Sequence, residues 1–148
     1  MRIAGRETIF WLMVGTSLLV LLSGCSKPPV EVEFENGWIR PLIGTRTTTA
    51  GYVQIQNNRV EPLVFTEANS STIEKIEFHV TTKSQGTHQM KFLEQLEIKP
   101  SQSLNLKPGG HHLMLFGVQN GETTTHVIEF KTKDGEVFSH EFVVQGDS

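Results

Sequence analysis

Two imidazoles and two thioethers recur along this chain as His79, Met90, His112 and Met114, in the spacing H-x10-M-x21-H-x-M. Together they make a donor set for a soft metal ion. Thioether sulfur is neutral and polarisable, a poor ligand for oxygen-loving cations, so the set points to copper and to Cu(I) in particular. Taken alone, each residue has an ordinary explanation. A lone Met usually fills a gap in a core, and a lone His on a strand is usually a solvated surface group. The chain has four methionines, Met1 and Met13 among them at the start and in an apolar leader. Every Met beyond the leader therefore falls in register with two histidines, which packing alone does not explain.

That spacing resembles the signature of the periplasmic copper(A) chaperone family, PCuAC. The likeness extends through Gly51-Tyr52-Val53-Gln54-Ile55-Gln56-Asn57, Phe78-His79 and Lys107-Pro108-Gly109-Gly110-His111-His112-Leu113-Met114-Leu115, and covers most of the chain after the leader. The resemblance implies a cupredoxin-like fold and a His2Met2 site for Cu(I). It also implies delivery of copper to the copper(A)-bearing subunit of cytochrome c oxidase, or exchange with another copper chaperone. Some relatives carry a His- and Met-rich C-terminal tail. Here Val143-Val144-Gln145-Gly146-Asp147-Ser148 contains neither residue, so that second site is not expected.

The N-terminal residues set the compartment. Arg2 and Arg6 precede an uncharged apolar run from Ile9 to Leu22, shorter than the ~20 residues of a membrane-spanning helix and suited to a signal peptide. Leu22-Ser23-Gly24-Cys25 follows at once and resembles a bacterial lipobox. The expected division is residues 1–24 as lipoprotein signal peptide, 25–30 as lipidated Cys25 and a Pro-rich tether, and 31–148 as one folded domain. Such a protein would sit on the periplasmic side of the cell envelope, held to a membrane through its lipid. Cys25 is the only cysteine, so no internal disulfide can form. With Cys25 lipidated, the domain offers no thiolate, which argues against a structural zinc site and against a blue-copper electron-transfer centre. Thioethers suit an oxidising compartment, since they hold Cu(I) without entering disulfide exchange.

Composition narrows the function classes further. Removing Arg2, Arg6 and Glu7 with the leader takes the net charge from −3 to −4, and no basic stripe is present, so nucleic acid is not an expected partner. No Walker loop, dinucleotide fingerprint or nucleophile elbow appears, and an enzyme is not expected. Two other classes fit the same residues. One is a copper-buffering or resistance lipoprotein without a dedicated acceptor, and the other is a lipid-anchored interaction module whose His and Met are incidental.

The elements that must position the donors read as strands. Apolar residues alternate with polar ones around Val30–Glu35, Gly51–Gln56, Leu63–Thr66, Ile73–Val80, His111–Val118, Thr124–Lys131 and Val137–Val144. No helical face longer than a turn or two is present, so the expected fold is an antiparallel β-sandwich. Asn120-Gly121 and Asp134-Gly135 read as hairpin turns. A three-residue loop Lys133-Asp134-Gly135 would pair Phe138 with Phe130 and His140 with Ile128, keeping the apolar faces in step. His112 and Met114, two apart on a strand, leave the same face, and His111 and Leu113 the other. Met90 falls beyond a polar stretch, Thr81 to Gln89, that reads as a loop. His88-x-Met90 imitates His112-x-Met114, but reads as an exposed loop histidine. His126 and His140 read as core or rim residues.

Overall fold

In the computed structural model of the chain, which describes residues 30–84, 86–119 and 124–146, alternation becomes sheet almost throughout. Ten strands form: β1 (Val32–Ile39), β2 (Thr49–Asn57), β3 (Leu63–Asn69), β4 (Ile73–Ser84), β5 (Thr87–Leu93), β6 (Leu96–Ile98), β7 (Ser103–Leu106), β8 (His111–Val118), β9 (Thr125–Thr132) and β10 (Val137–Val144). The hydrogen-bonded order is β5-β4-β8-β2-β1-β10-β9-β3-β6, with β7 on β2. This path wraps round one core, so that Leu113 and Leu115 of β8, Ile128 and Phe130 of β9 and Phe65 of β3, all fully buried, share a single apolar cluster. Phe34, Phe65 and Phe130 interlock at ring-centroid distances of 5.0–6.1 Å, and each large aromatic buried in this way is a major share of core stabilisation.

Among the described residues every strand pairing is antiparallel except one: β1 lies parallel to β10, through Trp38↔Val143 and Ile39↔Val144. The expected antiparallel sandwich holds, with this one parallel contact added to it. β1 first runs antiparallel to β2, is interrupted between Glu35 and Trp38, and then takes β10 on its other edge. The β9–β10 hairpin has the expected register, with Phe138 opposite Phe130 and His140 opposite Ile128. The Gly135 N–H donates to the Thr132 carbonyl, and Gly135 sits at φ +89°, a conformation that glycine adopts without steric cost. Asn120-Gly121 lies outside the described residues, as do the leader, Cys25 and the tether up to Pro29.

The segment read as a loop before Met90 is strand. β4 continues to Ser84 and returns as β5 through a tight turn at Gly86, φ +80°, with Thr81 opposite Met90 and Lys83 opposite His88. β5 is an edge strand exposed along nearly its whole length, so no buried face imposes alternation on its sequence. Among the described residues, no helix is long and apolar enough to cross a membrane.

Candidate metal centre

β8 is the strand from which the site is built. A turn at Lys107–Gly110 delivers the chain into it, with Gly109 at φ +76° and the Gly110 N–H donating to the Lys107 carbonyl at 3.0 Å. Alternation then turns Leu113 and Leu115 into the core and leaves His112 and Met114 on the opposite face. β4 lies beside β8 with His79 directly opposite His112 and Glu77 opposite Met114. β5 lies beyond β4, with Phe92 opposite His79. The four sequence-derived donors therefore share one face of three adjacent strands. Met90 comes from an edge strand, not from a loop.

β2 forms the other boundary. It pairs with β8 only from Thr49 to Gly51 and with β7 from Val53 onward. Above the β2–β8 junction, the β1–β2 connection closes one side of a groove of about 340 Å³. Met90, His112 and Met114 line this groove together with Arg40, Ile43, Arg46 and Tyr52. His79 is not in its lining. Its ring stands beside that of His112, with centroids 5.8 Å apart, and meets Phe92 edge-on at 5.9 Å. The three groove residues and His79 are thus adjacent, with His79 at the back.

Hydrogen bonds leave one nitrogen available on each imidazole. His112 Nδ1 lies 3.0 Å from the Gly110 carbonyl, which can only accept, so Nδ1 carries the proton and Nε2 keeps its lone pair. The same carbonyl accepts the Thr81 N–H at 3.0 Å, tying the β4–β5 hairpin to the mouth of β8. His79 Nε2 lies 2.9 Å from Glu77 Oε2, and the carboxylate is also paired with Lys75. His79 Nδ1 is buried and has no hydrogen-bond partner in the protein. A buried polar atom without a partner is costly, and a lone pair held in that state is what a metal ligand presents. A carboxylate or carbonyl on the far nitrogen is the usual outer partner of a ligating His.

Electrostatics agree with neutral imidazole at the front of the site. Burial holds His112 below the ordinary histidine range, against an opposing contribution from the Gly110 hydrogen bond, and the neighbouring His79 lowers it further. Glu77 is held below its usual range first by its hydrogen bond to Lys75 and then by that to His79, so it is a carboxylate at neutral pH. Among the described residues, no three His, Cys, Asp or Glu side chains converge on one point. The further donor atoms this face offers are the thioether sulfurs of Met90 and Met114, which line the groove with His112, and sulfur of that kind suits a soft monovalent ion.

The remaining histidines separate from the site. His126 is buried, with Nδ1 2.7 Å from Thr72 Oγ1, and His140 stacks on Phe34. His111 lies in the row next to His112, opposite Val80, and His88 is exposed on β5. Glu77, Arg40 and Arg46 were not singled out from sequence. Glu77 stands two residues before His79, on the same face of a strand, and that spacing is the signal that could have found it. The two arginines reach the groove from a connection distant in sequence from every donor.

The fold is one that solved PCuAC domains share. The copper-bound PCuAC domain from PmoF2 has this fold, with a TM-score of 0.66 at 14% identity over 80% of this chain and 95% of that one. The Cu(I) form of DR1885 from Deinococcus radiodurans has it with a TM-score of 0.62 at 22% identity, over 85% and 84% of the two chains. For the apo form of DR1885 the values are 0.60, 20%, 99% and 93%. No curated protein matches in sequence. The family described as "Putative lipoprotein LpqE-like" matches residues 32–144, and the chain belongs to this LpqE-like family.

Proposed function

We propose that this protein is an extracytoplasmic Cu(I) carrier, anchored through a lipid on Cys25, that takes up copper at His79, Met90, His112 and Met114 and passes it to an acceptor. The acceptor best suited to this reading is the copper(A) centre of cytochrome c oxidase. One observation carries the site assignment: the buried, unpartnered Nδ1 of His79, beside a His112 whose Nε2 is equally available. Copper-bound relatives of the same fold support the choice of metal, and the family description supports the lipoprotein reading.

In the donor set proposed here, His79 would bind through Nδ1 and His112 through Nε2, with Met114 and Met90 supplying sulfur. All four are neutral, so the ion enters and leaves without a proton or an electron changing hands. Met90 is 61% exposed on an edge strand, the ligand most easily displaced by an incoming donor. His112 is buried and anchored to Gly110, the ligand most resistant to displacement. Ordered ligand exchange of this kind is binding and release, not catalysis.

Competition with a Cu(I)-specific chelator tests the site. The chain should hold one Cu(I), and Met90→Ala together with Met114→Ala should weaken retention by two orders of magnitude or more, on the order expected for losing two of four ligands. Unchanged competition would remove the assignment. Delivery is tested by placing the loaded chain and a soluble copper(A) domain on opposite sides of a dialysis membrane that passes only free copper. Transfer as fast across the membrane as in mixture would leave a passive copper buffer as the better description.

A further inference from the structure

We propose that the groove is a docking face for an acceptor that surrounds its own copper site with carboxylates. The inference rests on the carrier reading above and adds the chemistry of the partner. Two walls flank the donors. One is the β1–β2 connection, which brings Arg40, Ile43 and Arg46 to the groove; the other is β5, which brings Met90. Ile43 is 69% exposed and Met90 61%, so each wall ends in an apolar side chain available to a partner. Two lone apolar side chains are ordinary on a surface, so they leave room for a partner at the groove without naming it.

Charge decides which partner. The chain carries a net charge of −3, yet among the described residues lining this groove two are Arg and none is Asp or Glu. The nearest acid in the site, Glu77, is absent from the lining and is paired with Lys75 and His79. Arg40 is engaged within the domain, its guanidinium 5.6 Å from the Tyr52 ring centroid, so the cation that the groove offers a partner is Arg46. Arginine presents a planar fork that fits carboxylate in a two-point hydrogen bond, where lysine offers a point charge. A locally positive mouth on an acidic body steers an acidic face toward the copper and turns basic surfaces away.

Loading sharpens the same preference. With four neutral ligands, the positive charge of Cu(I) is not cancelled within the donor set. The loaded groove is then one unit more positive than the empty one. A carboxylate-rimmed acceptor engages the loaded carrier more strongly and releases the empty one, which gives transfer a direction.

The test uses the full chain in detergent micelles, loaded with Cu(I) and mixed with a soluble copper(A) domain. The copper content of each protein is followed by rapid separation at low and high salt. Arg46→Glu should slow transfer about tenfold at low salt, the difference closing at ~0.5 M salt where surface charges are screened. Arg46→Lys should retain most of the rate, and all three proteins are brought to the same copper content beforehand so that transfer is read apart from retention. Contact-dependent transfer with identical rates and salt dependence in Arg46→Glu would overturn the docking proposal while leaving the carrier reading intact. Transfer that needs no contact would remove the carrier reading and the docking proposal with it. If Arg46→Glu instead dissolves a dimer of this chain, or only its binding to anionic vesicles, with transfer unchanged, the face belongs to that other partner and the proposal falls.

Discussion

His79 and His112 face each other across two strands but offer different nitrogens, and the cause is local. A carboxylate two residues before His79 takes its Nε2, and a carbonyl two residues before His112 takes its Nδ1. Long-range nitrogen-15 NMR of the apo protein should find the proton of His79 on Nε2 and that of His112 on Nδ1; the reverse pattern for either ring would contradict the proposed ligation. Replacing Glu77 by Gln removes the charge that holds His79 in this tautomer. Outer partners of ligating histidines typically contribute 10- to 100-fold to metal affinity. Glu77→Gln should therefore weaken Cu(I) retention by about tenfold in chelator competition, with little change in folding. Met90→Ala should leave stability within about 0.5 kcal/mol, as for surface substitutions in general, because the side chain is largely exposed. A larger loss in a urea titration would mean that Met90 packs, and the ordinary explanation of a lone Met would regain ground.

Strands carry their own prediction at the hairpin that sets register. A side chain at Gly135 would meet nothing within 4 Å, so crowding is not the obstacle. Gly135 sits at φ +89°, and a residue with a Cβ is disfavoured there by about 1–2 kcal/mol. Gly135→Ala should cost that amount in denaturant unfolding; a neutral result would show that the turn rearranges. Strands with one buried face were legible because alternation reports burial: β2, β3, β8, β9 and β10 followed from pattern, as did β1 as far as Glu35 and β4 as far as Val80. β5 did not, since an edge strand exposed along its length has no face to encode. β6 and β7 are three and four residues long, too short for a period of two to stand out. The parallel contact of β1 with β10 has no local signature at all, because it joins residues about a hundred positions apart. For the site, alternation placed His112 and Met114 on one face of a single strand, as β8 has them. The arginine wall was invisible, since only the folded path brings that connection over β8.

For the molecule as a whole, the resolved carboxylate and histidine shifts agree in direction. Burial lowers His112, His126 and His140 below the ordinary histidine range. Hydrogen bonds to Arg59 and to Lys75 lower Glu136 and Glu77. A group with a depressed folded-state pKa binds its proton more readily when unfolded. Its contribution to stability is present above the unfolded pKa and is lost as pH falls through the folded one. The apo protein should therefore keep its melting temperature from pH 8 to about 7, lose it as pH falls below the ~6.5 of free histidine, and lose more below the carboxylate range. A melting temperature unchanged between pH 7.5 and 5 would contradict the burial of these imidazoles. Copper should oppose the loss, since a ligand that binds only the folded state stabilises it by mass action. That protection should fade as pH falls through the lowered range of His112, whose protonated ring cannot bind a metal.

β1 also acts as a strut. Its first residue, Val32, pairs with Asn57, and its last, Ile39, pairs with Gly51 beside the groove. The chain enters the sandwich at the far end, where Asn58 holds the Val30 carbonyl at 2.8 Å. At about 3.3 Å per residue, less the interruption at Glu35–Trp38, the strand separates entry from groove by roughly 20 Å. Under the lipid-anchor reading proposed above, the chain arrives from Cys25 at this far end, so the anchored end of the domain and its groove lie a strand's length apart. An acceptor would then meet the groove across the domain from the point of entry, with β1 as the rigid span between the two.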